Sequence, residues 1–145
     1  MVVFEELISR LEGLKKSMPR LVDETAKDPE IDSYITELNL DQMYSGIDSD
    51  GYPIEPEYKP YTIKQKIKLG QPIDRVTLYS KGNFYRGHEN IYSGNGITLT
   101  SSDSKTKELT EKYSAERFGL TPKSLELVRE VFFELILQKV KDKLL

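Results

Sequence analysis

Apolar residues recur at Phe4, Leu7, Ile8, Leu11 and Leu14, with Glu5, Glu6, Arg10, Lys15 and Lys16 between them, the spacing of one amphipathic helix face. Pro19 lacks an N–H and crowds the preceding turn, so the pattern predicts a kink or a fresh helix start near Ser17, running on through Leu21, Val22 and Ala26. From Glu30 to Tyr44 the positions Ile31, Tyr34, Ile35, Leu38 and Met43 predict a further short helix, with Asn39, Leu40 and Asp41 reading as a break or a new cap. Residues 1–45 are therefore read as helical.

The pattern then changes. Gly46, Gly51, Pro53, Pro56, Pro60, Gly70 and Pro72 punctuate residues 46–74, and Tyr52, Tyr58 and Tyr61 lie among them. The reading is a long extended arm, interrupted by a short helix over Thr62–Leu69 capped by Thr62. Long connections of this kind inside a compact domain usually serve binding. Such an arm is expected to be ordered in an assembly and mobile in a free monomer.

Strict alternation over Arg75–Tyr79 predicts a half-buried strand, Phe84–Tyr92 a second, and Gly96–Ser101 a third with Ile97 and Leu99 inward. The turn Ser93-Gly94-Asn95-Gly96 joins the last two as an antiparallel hairpin, because Asn-Gly supplies the positive φ a tight turn needs. Lys105–Arg117 reads as a polar helix ending at Gly119. Thr121 is an N-cap, Pro122 fits the first helical position, and Leu125, Val128, Phe132, Leu135, Ile136 and Val140 form one stripe of a long final helix. The fold class is α+β in a single domain spanning 1–145: helical residues 1–45, the arm 46–74, a small antiparallel sheet within 75–101 and helices over 104–145.

Composition narrows the chemistry. At 145 residues, 37% hydrophobic and 31% charged, the chain suits one folded core with a large polar surface. It has no cysteine, no tryptophan and one histidine, which excludes disulfides, thiolate catalysis, cysteine-held metals and histidine triads. No apolar run is long enough to cross a bilayer, and Met1–Glu6 meets acid at once, so neither membrane insertion nor Sec-type export is expected.

Asp48, Asp50, Gly51 and Glu57 fall at spacings of a calcium-binding loop, but Gly46 stands where the first ligand belongs and Pro53 where an apolar residue does. A turn in which aspartate bonds its own backbone is the better reading. His88 has no nucleophile motif beside it and reads as a packing or surface residue. No enzyme activity, cofactor or metal is expected.

Charge changes the picture most. The net charge of −3 divides into −9 over residues 1–57, +6 over 58–86 and zero over 87–145. The basic block interleaves Lys59, Lys64, Lys66, Lys68, Arg75, Lys81 and Arg86 with tyrosines and Phe84. It can bind nucleic acid through phosphates and stacked bases, dock on the acidic third of another copy, or be a solvated surface. Docking between copies uses both halves of the asymmetry. The candidate subunit contacts are Tyr52, Tyr58, Tyr61, Lys64, Lys66, Lys68, Phe84, Tyr85 and Arg86.

From Asp41 onward the order of features resembles the tailed-phage virion morphogenesis proteins, the tail-completion or head–tail connector family. The elements that carry it are Asp48–Pro53 (DSDGYP), Pro56–Thr62 (PEYKPYT), the lysines from Lys64 to Lys68, Val76–Tyr79 (VTLY), Ser80–Arg86 (SKGNFYR) and Arg117–Leu125 (RFGLTPKSL). The resemblance implies a non-enzymatic virion protein, assembled in the host cytoplasm as a homo-oligomeric ring. Its partners would be portal, neck or tail proteins, and nucleic acid only as packaged DNA in the channel. The alternative from a different class is a nucleic-acid-binding accessory protein using the Tyr- and Lys-rich arm.

Overall fold

The computed structural model describes residues 2–93, 96–114 and 118–145. The order is α1 (Val2–Ala26), α2 (Pro29–Tyr44), α3 (Pro60–Lys68), α4 (Asn83–Arg86), β1 (His88–Ser93), β2 (Gly96–Ser101), α5 (Thr106–Tyr113) and α6 (Pro122–Leu144). The fold is α+β, with amino-terminal helices, a two-stranded antiparallel sheet and a long carboxy-terminal helix. Two compact units divide the chain: residues 1–33 with 126–145, and residues 34–125.

In the first unit α6 packs on α1. Arg10 donates to the Leu144 carbonyl at 2.9 Å, and Lys139 lies 3.9 Å from Asp28, just past the end of α1. α1 does not break at Pro19. A proline inside a helix costs about 3 kcal/mol, and burial of Leu21 and Thr25 on the following turns holds the helix through it. Asp28 then caps α2, its Oδ1 accepting from the Glu30 N–H at 2.9 Å, with Pro29 at the first helical position. α2 runs unbroken past Asn39, because Ile31, Ile35, Asn39 and Met43 lie on one buried stripe.

The core of the second unit gathers Met43, Ile54, Val76, Leu78 and Tyr113, with Leu40, Tyr58, Phe84, Tyr85, Leu109 and Phe118 packed against it. Residues 46–74 are not a free extension here. Gly46 (φ 74°) turns the chain after α2 so closely that a Cβ would sit 2.8 Å from Arg75 Cβ. Ile47 then bridges Pro53 and Ile54 enters the core. α3 begins at Pro60, not at Thr62, and Lys59 at its N-cap makes no side-chain bond. It stops in a Schellman turn: Gly70 (φ 68°) donates to the Ile67 carbonyl and Gln71 to that of Lys66.

Arg75–Tyr79 pairs with no strand, and Leu78 at φ 58° leaves the extended region altogether. Residues 83–86 form a helical turn entered through Gly82 (φ 85°), so the second strand starts only at His88. The hairpin stands as expected, His88 facing Ser101 and Tyr92 facing Ile97, although Ile97 is exposed and Leu99 half-buried. The predicted turn residues Gly94 and Asn95 lie outside the described residues, as does the 115–117 stretch of the predicted polar helix, whose described part ends at Tyr113. Thr121 caps α6, accepting from the Ser124 N–H at 3.2 Å.

Candidate interaction surfaces

The segment 75–80 has no strand beside it, so its buried backbone groups must find other partners. Side chains supply them. The Thr77 N–H donates to the Tyr58 hydroxyl at 2.9 Å, and the Tyr85 hydroxyl donates to the Thr77 carbonyl at 2.5 Å. Lys66 Nζ donates to the Tyr79 carbonyl at 2.6 Å and to Gln71 Oε1 at 3.1 Å, with its charge 4.8 Å from the centre of the Tyr58 ring. Gln71 Nε2 reaches the Ser80 carbonyl at 2.6 Å. Tyr79 stands edge-on to both Tyr44 and Tyr85. Burial, then repulsion from the neighbouring Tyr58, Tyr44 and Tyr79 phenols, pushes the Tyr85 phenol far above the ordinary tyrosine range.

Of the candidate contacts in the basic, tyrosine-rich block, Lys66 is buried, 6% exposed, and Tyr58, Phe84 and Tyr85 are half-buried. The remaining candidates face outward. Tyr52, at the tip of the Asp48 turn, is exposed; Tyr61 (72% exposed), Lys64 and Lys68 share the outer face of α3, flanked by exposed Ile67 and Leu69. Arg86 is exposed, and its guanidinium bonds the Lys81 carbonyl and Asn83 Oδ1.

Hollows among the described residues of the second unit include two beside the candidate contacts. One, of about 390 Å³, adjoins the clasp and is lined by Leu69, Leu78, Phe84, Leu109 and Tyr113 with Lys66 among them. The other is a shallow depression of about 950 Å³ rimmed by Asp50, Glu55, Glu57 and Glu111, with Lys112 of opposite sign among its described lining residues. Asp48 Oδ1 accepts from the N–H groups of Asp50 and Tyr52 at 2.9 and 3.0 Å, which is the turn chemistry expected. Among the described residues no group of three His, Asp or Glu side chains is placed to hold a metal ion. His88 faces Asn90 Oδ1 at 2.9 Å, and Asn90 in turn donates to Thr36 Oγ1, anchoring β1 to α2.

The first unit leaves the early apolar face of the predicted amphipathic helix exposed. Every residue from Phe4 to Gly13 is exposed, including Phe4 at 67% and Leu11 at 46%. On α6, Phe133 and Leu137 are also exposed. The signal is a seven-residue repeat: Phe4, Leu11, Met18 and Thr25 in one row, Leu7, Leu14 and Leu21 in the other. Periodicity marks such a seam without saying how much of it the same chain covers.

No protein-family model, curated protein or solved structure shows a significant match to this chain.

Proposed function

We propose that this chain is a structural subunit of a tailed-phage virion, placed at the head–tail connector or neck or completing the tail, where copies of it join into a ring. The observation that carries this reading is the separation of unlike charge onto two exposed surfaces of the second unit. One is the basic outer face of α3 with Tyr61, Lys64 and Lys68; the other is the depression rimmed by Asp50, Glu55, Glu57 and Glu111. Surfaces that differ from each other but complement each other produce head-to-tail contacts, and such contacts make a ring when the rotation from copy to copy closes. Tyrosine at the centre of such a contact supplies apolar area while lysines set register and approach.

The order of features from Asp41 to Leu125 that resembles the tail-completion family supports the same reading. Portal, neck or tail proteins would take the ring faces, and packaged DNA would meet the ring only in its channel. Reversing charge at Lys64 and Lys68 together lowers ring assembly, with the larger loss at low salt, as sedimentation velocity at two ionic strengths would record. Assembly unchanged at both would remove the docking surface from the account. Lys66 is left out of the variant because it serves the clasp.

Exposed Tyr61 beside two lysines also suits a nucleic-acid-binding accessory protein. With Lys66 turned inward, Lys64 and Lys68 remain exposed on α3, with Lys59 at its N-cap. At about 0.9 per neutralised phosphate on duplex DNA, these give a shallow salt slope and weak binding. A steep slope measured on DNA would favour this second reading over the ring.

A further inference from the structure

We infer that the hollow beside the clasp binds a small apolar monocarboxylate, its carboxylate on the Lys66 ammonium and its body among Leu69, Leu78, Phe84 and Leu109. The ammonium is the feature that points to a ligand. Lys66 is only 6% exposed. It meets the Tyr79 carbonyl at 2.6 Å, Gln71 Oε1 at 3.1 Å and the Tyr58 ring at 4.8 Å, all of them neutral. Among the described residues no carboxylate forms an ion pair with it. A buried charge is costly unless it is paired, and neutral dipoles offset only part of that cost. Tyr58, Gln71 and Tyr79, the three groups around the ammonium, line the hollow together with Lys66, so the charge lies in its wall. An ammonium has three N–H groups, and the two acceptors account for two of them.

The remaining lining sets the rest of the ligand. Leu69, Leu78, Phe84, Leu109 and Tyr113 supply an apolar wall, and at about 390 Å³ the hollow is of the size that takes a small molecule. The other charged residues that line it are Lys81 and Lys105 against Asp103 and Glu108, which cancel and leave the charge of Lys66 uncompensated. One negative charge on an apolar body answers this pattern; a cation or a dianion does not. Recognition therefore lies inside the hollow and not on a charged rim, which favours a free small acid over the acidic surface of a protein. Lys64 and Lys68 do not line the hollow, so the inference depends neither on the ring nor on the virion reading.

The probe is octanoate, with octanol as the same chain uncharged. Titration calorimetry of the full-length chain is expected to give a Kd for octanoate of about 1 mM or tighter. Octanol binds at least about ten-fold more weakly, because a hydrogen bond to a charged group contributes that much. On saturation with octanoate the methyl resonances of Leu78 and Leu109 shift. Lys66→Met abolishes the preference for the acid. That variant also weakens the clasp, so Leu69→Asp is measured beside it. Leu69 lines the hollow but is 61% exposed at the C-cap of α3, and the substitution leaves the fold intact by circular dichroism. Its carboxylate competes for Lys66 and repels that of the ligand, weakening octanoate at least about ten-fold. No octanoate binding up to about 10 mM, equal binding of octanol, or unchanged octanoate affinity in Leu69→Asp overturns the inference. Charge reversal at Lys64 and Lys68 leaves octanoate affinity within about two-fold, which separates the failure of this site from that of the ring.

Discussion

Thr77 is wholly buried, and its backbone is held by two tyrosine hydroxyls rather than by a neighbouring strand. Removing either hydroxyl leaves a buried group unpaired, which costs about 1–3 kcal/mol. Tyr85→Phe is therefore expected to lower unfolding free energy by that amount in urea titrations, and an unchanged midpoint would count against the clasp. The same residue sets an alkaline limit. Its folded phenol ionises well above the unfolded value near 10, so its contribution is complete below about pH 10 and is lost as pH rises beyond that toward the folded value. Unfolding followed at rising pH should coincide with tyrosinate absorbance, and the slope should flatten in Tyr85→Phe. Lys66 and its neighbours separate in the same way: Lys66→Met leaves the Tyr79 carbonyl without its donor and destabilises by about 1–3 kcal/mol, whereas Lys64→Met, on the exposed face, stays within about 0.5 kcal/mol. Thermal melts of the two variants make that comparison directly.

At the level of elements, the long helices and the hairpin were legible because their patterns are local. Thr121 and Pro122 announce α6, and Thr121→Ala should cost about 1 kcal/mol in urea unfolding by freeing the Ser124 N–H. Asp28-Pro29 is an equally local start signal, for α2, that the apolar pattern alone passes over. Other elements depend on partners distant in sequence. Arg75–Tyr79 alternates as a strand does, but a strand needs another strand, and here Tyr58, Lys66, Gln71 and Tyr85 occupy the positions a neighbouring backbone would take. Tyr58 and Lys66 carry the composition of a contact surface for the same reason that they serve as hydrogen-bond partners inside, Tyr58 accepting and Lys66 donating. Only their burial distinguishes the two uses, and burial is not a local property. Tyr61, Lys64 and Lys68 are exposed because one face of α3 meets solvent once Lys66 turns in, a division that the sequence pattern of α3 does not reveal.

For the molecule as a whole, the asymmetry of charge keeps its meaning in narrower form. The +6 block is partly spent inside its own unit: Lys66 holds the clasp, and Arg75 bonds the Tyr44 carbonyl and Asp74. What remains outward in the second unit is the basic α3 face and, apart from it, an acidic depression. Each of these surfaces is suited to another copy. The measurement that bears most directly on the account is native mass spectrometry of the full chain at low and moderate ionic strength. A closed assembly, which falls apart when Lys64 and Lys68 are reversed, is the predicted result; a chain that remains monomeric under every condition would contradict it.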